Sequence, residues 1–475
     1  MSSLFIPFKT FNHLYIYDMI NGNIILCSPL TFELYSFMFQ KHINHIEYGM
    51  LLNNEKFKEY SKENIHEAIC VVNKQIDYIE NNTNLELQHF GVIRKEDILK
   101  SLGETKQIVL EVTRSCNLQC VYCCYGSLYK KEKLIKLENK QSLQLDYLRY
   151  LLKLGEEVGR KKLIISFYGG EPLLNMKSIE AIVAEVSKYS LEIKYTITTN
   201  GVLLNRYIDF LVEHNFTVYV SSDGNAYNNS YRVFSNGQES FTQIENNIKW
   251  VQERYPSFFD KNIVFLSVLH NRNDIITVNK YFSSFNKETN FSNLSRHNVR
   301  KDKLNVIRMM QHEGEYKQDE KEYIKAKYPV LYKEQFDLER ILRIKYLSYK
   351  IHSNTIGLVA NQRKYYPGQT CYLFQNRVFV TLDGFLLPCE HILRKYSLGR
   401  IVNGKIRVYT NKVNRLYTKI ANSFMNSCDS CIDKFHCNRC FFQSDNICED
   451  MTCFNYLEKA QQELKYLVSK MEVEI

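Results

Sequence analysis

An α/β fold built around a parallel sheet is the class this sequence predicts, on three observations. Between about residues 105 and 310 the short apolar runs QIVLEVT, KLIISFYGG, KYTITTNG, FTVYVSSDG and NIVFLSVLH alternate with segments of helical period, such as QSLQLDYLRYLLKLGEEVGR. Repeated strand and helix units imply parallel pairing. The runs end in polar turns, which places polar loops at the C-terminal strand ends, where such sheets carry their sites. The composition, 45% hydrophobic and 13% aromatic with only 7 Pro and 18 Gly, is globular and leaves little room for long flexible linkers.

A chain of 475 residues is long enough for two or three domains. Its formal charge of +10 would suit an acidic partner, but 62 basic residues are offset by 52 acidic ones with no dominant basic block. A nucleic-acid role is therefore disfavoured. No apolar run is long enough to span a membrane, and MSSLFIPFKTFNHLYIYD lacks a basic region followed by an apolar core. No membrane association and a cytoplasmic location are expected. In that reducing compartment 14 cysteines point to metal rather than to a disulfide framework.

The first 100 residues carry no chemical motif. HLYIYDMINGNIILC places two apolar runs around Asn21-Gly22, a strong hairpin signal because both turn residues tolerate positive φ. Ser28-Pro29 opens a helical segment, SPLTFELYSFMF, with Glu33 near its positive end, and ENIHEAICVVNKQIDYIE reads as a second helix. Cys27 and Cys70 lie in apolar runs and read as core thiols.

Cys116, Cys120 and Cys123 stand at C-x3-C-x2-C spacing in EVTRSCNLQCVYCC, directly after a strand. Three thiolates on a four-iron cluster leave one iron open to a small molecule, so the count implies chemistry at the metal. A zinc site short of a ligand, or buried thiols, are the alternatives. The run resembles the cluster motif of radical S-adenosylmethionine (radical SAM) enzymes, with Tyr122 where that family has an aromatic. The resemblance implies a partial (β/α)6 TIM-like barrel, a [4Fe-4S] cluster whose open iron is chelated by SAM, and a 5′-deoxyadenosyl radical that takes hydrogen from a substrate. Gly169-Gly170-Glu171-Pro172 matches the family's GGEP motif at the SAM amino group, and Thr199-Asn200-Gly201 resembles its TNG turn. Either could be an ordinary turn. Ser221-Ser222-Asp223-Gly224 with Arg232 resembles the S-x-D-G and Arg segment of the peptide-modifying subgroup, in which Ser and Arg hold the ribose and carboxylate of SAM. Asn225 replaces the usual Pro there, and the His-Asp pair before the Arg is absent, so an Arg simply solvated in a loop is the competing reading. Leu269 matches an adenine-packing position and equally suits a core leucine.

The last quarter reads Cys371-x12-Gly384-x4-Cys389, then Cys428, Cys431, Cys437, Cys440, Cys448 and Cys453. This resembles the SPASM domain and implies two auxiliary [4Fe-4S] clusters; a pair of zinc sites is the alternative. Carried over, Cys428, Cys431, Cys437 and Cys453 would hold an outer cluster and Cys371, Cys389 and Cys440 an inner one. Arg377 stands where sulfatase-maturing relatives have a further ligand, so the inner cluster has an open iron unless Cys448 fills it. Glu390 stands where those relatives have an Asp proton acceptor, and either a catalytic or a hydrogen-bonding role fits it.

The expected organisation is a leader-peptide-recognition-like module at 1–100, a radical SAM core at 105–310, a helical connection at 311–365 and a SPASM domain at 366–460. The module's sheet edge would take an extended peptide, although a lid on the core is an equal alternative. The leading functional expectation is a peptide maturase forming a thioether or other crosslink in a precursor peptide or protein, supplied with electrons by a reductant such as flavodoxin or ferredoxin. A sulfatase-type maturase oxidising Cys or Ser to formylglycine is the second, and a zinc-stabilised binding protein the third.

Overall fold

The computed structural model describes residues 5–10, 13–18, 23–82, 92–132, 140–295, 298–311, 376–402, 404–418 and 465. Strands β1 (Phe5–Lys9), β2 (Leu14–Asp18) and β3 (Asn23–Leu26) form a small antiparallel sheet in the order β1-β2-β3. The pairing Asp18↔Asn23 is the base of the expected hairpin, whose turn residues Asn21 and Gly22 lie outside the described residues. Helix α1 (Pro29–Lys41) starts where Ser28 accepts from the Thr31 amide, with Pro29 in its first turn. Glu33 pairs with Lys56 at 2.7 Å. Together with α2 (Lys62–Asn82), these elements close a core of their own around Phe5, Ile6, Tyr17, Leu34, Met38 and Val72. Cys70 is a correction: it is exposed, on the polar face of α2, while Cys27 packs partly against this core.

The second core begins earlier than residue 100. Ile93 and α3 (Lys95–Glu104) bury Ile98 and Leu102 with the large sheet rather than with the N-terminal one. That sheet holds β4 (Gln107–Thr113), β5 (Lys162–Gly169), β6 (Glu192–Thr199), β7 (Thr217–Ser221), β8 (Ile263–Leu269) and β9 (Thr289–Asn293). Each is parallel to the next. Helices α4 (Lys140–Glu157), α5 (Met176–Val186), α6 (Leu204–Glu213), α7 (Phe241–Arg254), α8 (Pro256–Asn262) and α9 (Ile275–Ser283) make the crossovers, and α10 (Leu304–Met310) follows β9. Fully buried Leu148, Ile165, Ile179, Ile208, Val218 and Phe282 pack helices onto strands. The six strands are the partial barrel the sequence anticipated.

The tail enlarges this sheet instead of standing apart from it. β10 (Arg377–Val380) runs parallel to β4 in the register Arg377↔Gln107, and β11 (Phe385–Leu387), β12 (Gly399–Val402) and β13 (Lys405–Val408) follow in antiparallel succession. The resulting ten-stranded order is β13-β12-β11-β10-β4-β5-β6-β7-β8-β9. Gly384 turns β10 into β11 at φ 80°, with its Cα so near the Ile401 carbonyl that a Cβ would lie 2.5 Å from the oxygen. Of the expected connection at 311–365, residues 312–365 lie outside the described residues.

Candidate functional site

The cysteine loop leaves the C-terminal end of β4 and is fastened on two sides. On one, Gly170 N donates to Thr113 O at 2.8 Å and Glu171 N to Ser115 O at 2.9 Å. Only glycine permits this approach: a Cβ on Gly169 would lie 2.0 Å from Thr113 O, and one on Gly170 would lie 2.3 Å from Ser115 O. On the other side, Gln119 N donates to Val233 O at 2.7 Å and Val121 N to Tyr231 O at 3.0 Å, with Leu118 bridging Phe234. Cys120 is thereby bracketed by the strand-like segment that carries Arg232.

Cys116 is exposed and Cys120 and Cys123 are partly buried. Cys116 Sγ accepts from Leu118 N at 3.4 Å and faces the Asn200 amide nitrogen at 3.7 Å. Asn200 also donates to Asn117 Oδ1 at 2.8 Å, so the turn after β6 grips the loop. Burial pushes the Cys116 thiol up, and Cys120 to about 12, against the pull of the Arg232 charge. Cys123 is lowered, first by a hydrogen bond from Cys124 and then by the backbone amide of Tyr125 and the Arg232 charge. Donors aimed at sulfur and a nearby cation suit thiolate ligands. Among the described residues no three His, Cys, Asp or Glu side chains close around a single metal ion. A four-iron cluster takes more widely set thiolates than one ion does, and three cysteines on one loop are the donor set such a cluster uses.

Glu171, grouped with the cofactor contacts on sequence, turns its carboxylate into the protein. Oε1 accepts from Thr199 Oγ1 at 2.8 Å and Leu173 N at 3.0 Å, and Oε2 from Asn200 N at 2.7 Å. It braces the end of β5 against the end of β6, and burial raises its pKa to about 7. Gly169, Gly170, Asn200, Ser221 and Leu269 all sit at the C-terminal ends of the strands, around the loop.

Arg232 is buried and paired, not solvated. Nε donates to Asp223 Oδ2 at 3.0 Å and Nη2 to Oδ1 at 3.3 Å, while its guanidinium lies 5.4 Å from the centre of the Tyr122 ring. Tyr122 OH donates to the same carboxylate, as does Val268 N at 2.9 Å. His270 Nε2 stands 3.6 Å away. Burial pushes Asp223 up, but Arg232 and the His270 contact hold it down, to about 2.

In the tail, Cys389 is buried and Glu390 meets Arg377 Nη2 at 3.4 Å and His391 Nε2 at 3.5 Å. Arg377, singled out in the sequence as a departure from the ligand pattern of sulfatase-maturing relatives, thus opposes Glu390 in charge. Cys371, Cys428, Cys431, Cys437, Cys440, Cys448 and Cys453 lie outside the described residues. Sequence reasoning passed over Cys124, whose partly buried thiol bonds to Cys123 and is pushed up by that contact; its only signal was its place beside Cys123. It also passed over His270, which looked like the end of a strand.

Residues 110–276 match the Radical SAM superfamily. The chain therefore contains a radical SAM domain, and such domains use SAM and a [4Fe-4S] cluster. Over 222 residues it is 29% identical to the radical SAM cyclopropyl synthase TigE of Paramaledivibacter caminithermalis, covering 44% of this chain and 46% of that protein. The chain thus spans about half the length of that relative. A cysteine-type anaerobic sulfatase-maturating enzyme of Clostridium perfringens is 24% identical over 354 residues, 70% of this chain and 88% of the relative. The solved structure of native anSMEcpe with bound AdoMet shares the fold, with TM-score 0.52 and 20% identity over 78% of this chain and 98% of that one. No helix among the described residues is long and apolar enough to cross a membrane.

Proposed function

We propose that this chain is a radical SAM peptide maturase that removes hydrogen from a residue of a precursor peptide and so forms a thioether or other crosslink. The observation that carries the reading is the cysteine loop held at the mouth of a parallel half-barrel, with the tail strands, whose connecting turn bears Cys389 and Glu390, joined edge to edge with the same sheet. When bound, the cluster and SAM supply the 5′-deoxyadenosyl radical. Cys116, Cys120 and Cys123 would hold the cluster. Tyr122, Gly169, Gly170, Asn200, Ser221, Arg232 and Leu269 would surround SAM, with Glu171 bracing the turn from behind. Cys389, with Cys371 and the cysteines from Cys428 to Cys453, would hold auxiliary clusters.

The N-terminal sheet supports a peptide partner, because β3 pairs with β2 alone among the described residues and leaves an edge to which an extended segment can add. A flavodoxin or ferredoxin in the cytoplasm would supply electrons. The sulfatase-type reading is favoured by the extent of the Clostridium perfringens match. The Arg377 charge against Glu390 weighs on the other side, since a cation beside a carboxylate weakens it as a proton acceptor. Anaerobic co-expression with a small peptide encoded beside its gene, followed by mass spectrometry, tests the proposal. Loss of a pair of hydrogens with a new internal linkage is expected; conversion of Cys or Ser to formylglycine would install the second reading, and an unaltered peptide contradicts both.

A further inference from the structure

Asp223 lies within the S-x-D-G run, just past the C-terminal end of β7. Its side chain is fully buried, and its carboxylate collects contacts from separate parts of the chain. Tyr122 reaches it from between Cys120 and Cys123, Arg232 from the segment paired with the cysteine loop, and Val268 N from the end of β8 at 2.9 Å. Its own amide donates to Asn229 Oδ1... a side-chain oxygen six residues on, at 3.0 Å, which fixes the loop carrying the carboxylate.

The geometry of the pair constrains its charge as well as its shape. Arg232 is 7% exposed, and its neighbours Tyr231 and Val233 accept the amides on both sides of Cys120, which ties the backbone that carries the cation to the cysteine loop. A buried cation is strongly felt at short range and is costly unless opposed. Asp223 opposes it through both Nε and Nη2, at 3.0 and 3.3 Å. The Tyr122 hydroxyl shares the same carboxylate, so the anion also sets the orientation of the aromatic side chain lying inside the cysteine motif.

We infer that Asp223 is a positioning residue which locks Arg232 and Tyr122 onto the cysteine loop and balances the Arg232 charge at the metal site. The inference rests on the reading of Cys116, Cys120 and Cys123 as cluster ligands. It makes a signed claim. Removing the carboxylate leaves an extra positive charge, which favours the reduced, more negative cluster, whereas removing the guanidinium leaves an extra negative charge and does the reverse. Removing both restores the balance.

The test is redox titration of the reconstituted full-length protein, following the electron paramagnetic resonance signal that responds to added SAM, for wild type, Asp223→Asn, Arg232→Met and the double variant. The midpoint potential should move up in Asp223→Asn, down in Arg232→Met, and return toward wild type in the double variant. Shifts of the same sign, or no shift, overturn the inference. If a single variant fails to retain iron, recovery of iron in the double variant supports the charge balance, and continued loss overturns it. Wild-type protein without a SAM-responsive cluster would defeat the ligand assignment itself, a result distinct from an unshifted potential.

Discussion

Glu171 shows how one buried carboxylate can organise a site without facing it. Three donors from Thr199, Leu173 and Asn200 favour its ionised form, but complete burial outweighs them and lifts its pKa from the ordinary 4.5 to about 7. Between those values the native state holds a proton that the unfolded chain has released. Its contribution to stability is therefore greatest below the unfolded value and declines as pH rises toward the folded one. The full effect is on the order of 3 kcal/mol. Urea denaturation at about pH 5 and about pH 8 should show a decline in wild type that is smaller in Glu171→Gln, whose side chain does not titrate. Equal pH dependence in the two proteins would contradict this account. Asp223 is the opposite case, since a buried guanidinium holds it ionised despite similar burial.

At the scale of elements, the junction of β4 and β5 matters most, because it aims the cysteine loop. The glycines there are required by the carbonyls of Thr113 and Ser115, which leave no space for a Cβ. Gly170→Ala should destabilise the protein by about 1–3 kcal/mol through overpacking and lower its iron content after reconstitution. Gly49→Ala, with nothing within 4 Å of the added carbon, is the control and should do neither. Thermal unfolding and iron per chain measure both effects; a Gly170→Ala protein that loads iron as wild type does would refute the role of the contact. The strands at this junction were legible in the sequence because β4 and β5 are apolar runs of 7 and 8 residues, long enough to show their character. β10 and β11 were not legible. They are 4 and 3 residues long, too short for a period, and β10 pairs with β4, a strand far away along the chain.

At the scale of the whole molecule, the tail is joined to the barrel by charge as well as by backbone. Glu111, buried on β4, accepts from Arg114 Nε at 2.7 Å, from Tyr125 OH at 3.1 Å and from Leu382 N in the tail at 2.9 Å. Arg394 donates to Asp383 at 2.8 Å, and its amide donates to Glu132 at 2.9 Å. The segment bearing Cys389 and Glu390 is thus tied to the loop that continues from the three cysteines, which joins that loop and the described part of the tail through the same contacts. The spacing of Cys116, Cys120 and Cys123 made the candidate site legible, since spacing along one loop is a local property of the chain. The pairing of Arg232 with Asp223 and of Arg377 with Glu390 was not, because charge partners are chosen by the fold and nothing local marks them. The central claim is that the cysteine loop holds a cluster able to cleave SAM. Its most direct test is anaerobic reconstitution with iron and sulfide, reduction, and measurement of 5′-deoxyadenosine from added SAM. The account predicts bound iron and 5′-deoxyadenosine in wild type and neither product nor SAM-responsive cluster when Cys116, Cys120 and Cys123 are replaced by Ala. Zinc in place of iron, with no 5′-deoxyadenosine formed, would contradict it.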